Sequence, residues 1–310
     1  MMHDCTYLIA YRVMPRRLIL HLDDLGLCRG ANTAFVELVA REAITCGSVM
    51  VPAPHFSQIA SEARARPGLD IGVHLTLTAE WKTWRWGPIS TRSRASGLID
   101  SEGFFPRTVA ELRQRLVVDA AEAELRAQID RALAEGIDVT HLDAHMGCTM
   151  LPELMPCYAR LAVDYGLPLF LMRKPPYVAR SAADWQASIE ALERQGLPIV
   201  DHVVKTVKAP ADDPAVAYRA MLADLPPGLT CMLLHCNAPG DIEAIAPEHA
   251  AVRTAEYALF RSGAPTRWLR EMGADLTGFR ALRESWRARI GYRRDSPPAS
   301  PAGRNKTHGP

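Results

Sequence analysis

Four short segments of this 310-residue chain carry the residue types that bind metals and move protons. Asp23 and Asp24 stand together in Leu18-Ile-Leu-His-Leu-Asp-Asp-Leu-Gly-Leu27, and His74 lies in Asp70-Ile-Gly-Val-His-Leu-Thr-Leu77. His141, Asp143 and His145 alternate in Thr140-His-Leu-Asp-Ala-His145, and His235 follows the apolar run Cys231-Met-Leu-Leu234. Carboxylate and imidazole are the donors suited to a divalent ion that must keep a position open for water. Adjacent carboxylates repel unless a cation or a proton sits beside them. One ion near either of Asp23 and Asp24 would offset that repulsion and leave the other acid free to act as a base. Each segment also has a plainer reading. An acid at a strand end can cap the next turn, His74 among apolar neighbours can be a satisfied core residue, and His235 can close a rim with a hydrogen bond. The period-two set His141, Asp143, His145 resists such a reading, because three polar side chains on one face of a strand are hard to pack as core.

These segments recur at the ends of β-rich runs separated by helical stretches. Strands are expected at 17–23, 48–52, 69–77, 137–141, 167–172, 198–204, 230–235 and 274–277. Helices are expected at 31–45, 56–65, 109–135, 153–165, 182–195, 213–224, 247–261 and 278–290. Strand–helix alternation of this length favours a parallel sheet with crossover helices. About seven to eight such units favour a (β/α) barrel-like single domain, in which all carboxyl ends of the strands meet on one face. Asp23 and Asp24, His74, the His141–His145 segment and His235 would share that rim. Residues 78–107, after the third strand, show no periodicity and hold Trp81, Trp84 and Trp86, the mark of a functional loop or lid. The tryptophans either pack the loop down or offer exposed faces to a substrate. The chain divides into an extension over 1–16, a catalytic domain over 17–292 and a disordered tail over 293–310.

Composition narrows the field. Thirty-six Lys and Arg against thirty-five Asp and Glu give a net charge of +1, which removes any whole-surface field for nucleic acid or membrane. The arginine-rich stretch 280–294 reads as a solvated helix face. Seven scattered cysteines without a Cys-x-x-Cys pair suggest reduced thiols, and Cys28 reads as a small packed residue. The N-terminal apolar run at 7–11 is too short for a signal-peptide core, and no run is long enough to span a bilayer, so a cytoplasmic location is expected. Neither phosphate-binding glycine motif, GxGxxG or GxxxxGK[ST], occurs.

Taken together, the segments resemble the YdjC-like carbohydrate deacetylases, the ChbG/HpnK family. The family's opening A-D-D-F-G-L-S is similar to the stretch His21-Leu-Asp-Asp-Leu-Gly-Leu-Cys28, and its G-L-H-L-N-L-T to Gly72-Val-His-Leu-Thr-Leu-Thr78. Its T-H-x-D-x-H matches Thr140 to His145, while Asn32, Gly47–Met50, Gly97–Phe104 and Arg253-Thr-Ala-Glu256 resemble further landmarks. The resemblance spans about residues 17 to 282. It implies a β/α-barrel-like fold and one divalent ion, Zn, Mn, Co, Ni or Mg, held by Asp24, His74 and His145. It further implies Asp23 as general base and His235 as the acid that protonates the leaving amine. His141, Asp143 and Arg253 would stand behind the ligands, although His141, on the face of His145, competes for its role. Where they are exposed rather than packed down, Trp81, Trp84 and Trp86 would contact the substrate, a small N-acetylated sugar or glycoconjugate, and association of identical copies is compatible with this picture. The chain departs from the pattern at Leu22 and Leu25, at Met146-Gly147 in place of a further histidine, and at His235-Cys-Asn in place of His-Pro-Gly. Its rivals are a hydrolase of another amide or an ester, and a barrel that binds sugar or metal without turnover.

Overall fold

In the computed structural model, which describes residues 15–206 and 214–292, seven strands form one all-parallel sheet. They are β1 (Arg16–Leu25), β2 (Cys46–Val49), β3 (Ile71–Leu75), β4 (Val139–Ala144), β5 (His202–Lys205), β6 (Gly228–Leu234) and β7 (Asp275–Thr277). The order is β4-β3-β2-β1-β6-β5. β6 runs along one edge of β1, so the other edge is shared by β7 at Arg17–Ile19 and β2 at His21–Leu25. From Leu18 to Leu25 every β1 residue is buried, His21, Asp23 and Asp24 included, because a parallel strand is covered on both faces. Helices such as Arg29–Ala40, Val118–Ala134 and Pro247–Arg261 provide the crossovers. The barrel-like α/β expectation holds.

Between β4 and β5, residues 168–173 fill the remaining space. They are not the strand expected at 167–172, but make isolated parallel bridges at Leu142↔Leu169 and Met172↔Val200. Pro168 lacks a ladder donor, and Pro175-Pro176 ends the run, so only short pairing survives. The helix expected over 109–135 is two, Val109–Arg115 and Val118–Ala134. The break coincides with Gly97, at φ 70°, whose added Cβ would lie 2.0 Å from the Arg115 carbonyl oxygen. Among the described residues no helix is long and apolar enough to cross a membrane. The proposed tail 293–310 and most of the extension 1–16 lie outside the described residues.

The arginine stretch is corrected. Arg283 is buried, and its Nη1 donates to Asp138 Oδ1 at 2.7 Å and to the Val139 carbonyl at 2.7 Å. Arg280 reaches the Leu69 carbonyl at 2.7 Å, so this helix clamps the start of β4 rather than facing only solvent. Six cysteines, Cys28 among them, are buried free thiols, and Cys5 lies outside the described residues.

Candidate active site

Asp23 and Asp24 should point to opposite faces of a regular strand. They do not, because the β1–β2 register slips between Leu22↔Gly47 and Leu25↔Val49, a bulge spanning the acid pair. Asp24 takes φ 62°, a left-handed conformation that Asp tolerates better than most residues. Both carboxylates thereby reach the carboxyl rim. Asp24 Oδ1 lies 3.6 Å from His74 Nε2 on β3 and 3.3 Å from His145 Nδ1, just past β4. One donor atom from each of Asp24, His74 and His145 falls within 4.8 Å of the others, and all three residues are buried. Positive φ at Met146 (53°) and Gly147 (69°) turns the chain sharply after His145.

Each imidazole is held by a second carboxylate through its other nitrogen. His74 Nδ1 is 2.7 Å from Asp143 Oδ2, which also accepts from Ser48 Oγ at 2.8 Å. His145 Nε2 is 2.8 Å from Glu80 Oε2. Such carboxylate–histidine pairs fix ring orientation and raise basicity toward a cation. Arg253 Nη1 donates to Asp24 Oδ2 at 2.9 Å. Burial opposes ionisation of Asp24, but Arg253 and His145 hold its carboxyl well below the usual range. Burial likewise opposes charge on His145, yet Glu80 and Asp24 carry its pKa up to about 10. Burial pulls His74 down and Asp143 more than offsets it, so its pKa is raised. Two imidazoles with their distal nitrogens engaged, converging on an ionised carboxylate, fit a divalent cation. Asp143 Oδ1 is also buried without a hydrogen-bond partner among the described residues.

The other acid, Asp23, lies between two histidines. Its Oδ1 is 2.6 Å from His21 Nδ1 and its Oδ2 is 3.8 Å from His235 Nε2. His235 sits beyond the end of β6, with Nδ1 3.0 Å from Thr206 Oγ1 and its backbone N–H on Glu256 Oε2 at 2.7 Å. Burial and Arg253 lower its pKa. His141, expected to compete with His145, instead points at His21, with Nε2 atoms 2.8 Å apart. The period-two reading applies to His141 and Asp143, both on β4; His145 begins the next turn.

Of the two readings of the tryptophans, packing the loop down holds for Trp81 and Trp86. Trp81 and Trp86 are only 7% and 3% exposed, and Trp86 Nε1 donates to the Thr78 carbonyl at 2.9 Å. They nevertheless back the site. Trp86 lies edge-on to His145 with centroids 6.0 Å apart, and the Arg253 guanidinium is 5.8 Å from the Trp81 ring centre. Trp84 is half-buried and donates to the Leu27 carbonyl at 2.9 Å. Glu80, Ser48, Thr206 and His21 were not singled out from the sequence. His21 carried a legible signal, standing two residues before Asp23 on the same strand; Glu80 lay in an aperiodic loop with none.

A parallel barrel-like sheet with buried aspartate and histidine donors converging at its carboxyl rim defines an α/β protein with a site suited to a divalent cation. Within that class the chain belongs to the YdjC-like protein family, whose model matches residues 17–271. A carbohydrate deacetylase of Thermus thermophilus is 34% identical over 235 residues, covering 72% of this chain and 78% of that protein. A carbohydrate deacetylase of Brevibacillus brevis is 33% identical over 153 residues, covering 49% of this chain and 58% of its own length. A crystal structure of a candidate cellobiose-phosphate cleavage protein from Enterococcus faecalis V583 shares the fold, with TM-score 0.71 at 22% identity, over 86% of this chain and 99% of that one.

Proposed function

We propose that the protein is a metal-dependent hydrolase that removes the acetyl group from an N-acetylated amino sugar or a conjugate containing one. The observation that carries this reading is the convergence of Asp24, His74 and His145 beside a second acid, Asp23, that faces His235. The naming of the relatives as carbohydrate deacetylases supports the substrate class. An acetamide is a weak electrophile with a poor leaving group. A divalent ion held by Asp24, His74 and His145 would polarise its carbonyl and acidify the attacking water. Asp23 would accept the water's proton through Oδ2, the oxygen not tied to His21. His235, 3.8 Å from Asp23 Oδ2, would take on that proton and pass it to the departing nitrogen, its lowered pKa making the imidazolium a stronger acid once formed. Arg253 keeps Asp24 ionised. Imidazole donors with one carboxylate favour Zn, Mn, Co or Ni over Mg.

Metal analysis of the purified protein, combined with acetate release from a panel of N-acetylated sugars, tests the reading. One equivalent of ion and acetate release that stops on chelation are expected. Turnover only of esters or non-sugar amides would replace the substrate class, and full metal content without any turnover would leave a binding protein.

A further inference from the structure

A buried chain of hydrogen bonds leads away from the site through the barrel interior. Asp23 Oδ1 meets His21 Nδ1 at 2.6 Å, and His21 Nε2 meets His141 Nε2 at 2.8 Å. His141 Nδ1 meets Thr140 Oγ1 at 3.0 Å, and the Thr140 hydroxyl reaches Asp70 Oδ1. Asp70 Oδ2 accepts the Arg280 backbone N–H at 2.8 Å. All five residues are buried. Four contacts need four hydrogens, one in each. Burial raises the Asp70 pKa, but each of its oxygens already faces a donor, the Thr140 hydroxyl on Oδ1 and the Arg280 backbone N–H on Oδ2, which favours the ionised form. With both end carboxylates ionised they only accept, so the three residues between must supply all four. A neutral Thr, a neutral His and a neutral His carry one each, and the chain is short by one proton.

We infer that His21 carries both ring protons and is the positioning residue of the general base, gripping Asp23 Oδ1 so that Oδ2 faces the reacting water. The inference rests on the deacetylase reading for the name of the reaction, but not for the state of the ring. The extra proton belongs on His21 rather than His141. The His21 ring lies between two carboxylates, Asp23 and, 3.8 Å from its Nε2, Asp143. His141 meets Thr140, His21 and the Phe279 ring, stacked on it at 3.9 Å. Among the described residues no carboxylate comes as near to it as Asp23 and Asp143 do to His21, Asp143 lying within 4.8 Å. The role of His141 is then that of a neutral acceptor, with Nδ1–H on Thr140 and Nε2 toward His21. Burial works against charge on His21 but Asp23 raises its pKa, whereas burial drives His141 well below the usual value. The seat is close-fitting: a Cβ on Gly72 would come within 2.5 Å of the His141 ring.

The test uses the full chain loaded with Zn²⁺. In ¹⁵N-histidine NMR, one ring should show both nitrogens protonated, and its signals should vanish in His21→Asn. If the ring lost in that variant is a neutral tautomer, the inference is overturned, whether or not a substrate has been found. In acetate-release assays His21→Ala should lower kcat about 100-fold, the scale of an ångström misplacement, with KM and zinc content unchanged. His21→Asn sets an amide N–H where Nδ1 stands and should recover kcat to within about tenfold of wild type, restoring most of what misplacement removed. Wild-type kcat in His21→Ala, or an Asn variant as slow as the Ala variant, would overturn the positioning role. Should His21→Ala not fold, the NMR result on the wild-type and Asn proteins decides alone.

Discussion

Two acids one bond apart along the chain divide the work because their neighbours differ. Asp24 faces His74, His145 and the Arg253 guanidinium, whereas Asp23 faces His21 and His235. Replacing Asp24, His74 or His145 by Ala should therefore remove bound metal and activity together. A full equivalent of metal in His74→Ala, measured by elemental analysis, would show the ligand set to be wrong. Asp23→Asn should keep the metal and the fold and lose kcat by about two to four orders of magnitude, the usual worth of one general base. Near-normal acetate release from that variant would remove Asp23 from the chemistry. His145 poses the sharpest charge question, since Glu80 and Asp24 hold its proton up to a pKa of about 10. A cation on the same ring must displace that proton. Metal affinity should accordingly rise with pH up to about 10, and titration in two buffers of different ionisation enthalpy should detect the proton released.

At the scale of elements, the long loop changes its meaning once its burial is known. Trp86 packs as core with its indole N–H on the Thr78 carbonyl. Trp86→Ala should cost about 3–5 kcal/mol of stability, as large-to-small core substitutions of aromatics do. Trp84 is half-buried, so Trp84→Ala is the loop variant expected to raise KM with kcat nearly unchanged. Measuring KM and Tm on both proteins separates the roles; a Tm loss with unchanged KM at Trp84 would remove that tryptophan from substrate binding. Helix Pro247–Arg261 works at two points of the rim, since Arg253 neutralises Asp24 and Glu256 holds the His235 backbone. Register does the same for the paired strands. His74 stands opposite Asp143 in the β3–β4 ladder, so backbone pairing alone brings ring and carboxylate together.

For the molecule as a whole, burying this many ionisable groups ties stability to pH. In the cation-free protein His145 has a folded pKa of about 10 against an ordinary 6.5. A raised folded pKa contributes stability that is complete below the unfolded value and is lost as pH climbs through the folded one. Tm of the chelated protein should thus fall between pH 6.5 and about 10. In Glu80→Gln, which removes one of the two carboxylates facing the ring, the fall should be smaller. An identical pH profile in the variant would show that His145 is not the group responsible. Saturating metal should raise Tm at neutral pH by mass action, because the site exists only in the folded chain.

Residue types and their order along the chain sufficed for the parallel α/β class and for which strand ends carry polar groups, because burial on both faces and period-two alternation are local properties of sequence. Asp24, His74 and His145 were legible in that way, as strand-terminal donors matching motifs in order. Whether His141 or His145 joins the Asp24 cluster was not, since both lie on one alternating face until the chain leaves β4 at Ala144 and turns at Met146. Only the fold decides that the β1 bulge brings both acids to the rim. The same holds for Glu80 reaching His145 from an aperiodic loop, and for Trp81 and Trp86 facing inward. Those outcomes depend on contacts between residues far apart in sequence, where register, a left-handed φ and the space left by neighbouring side chains outweigh any local preference.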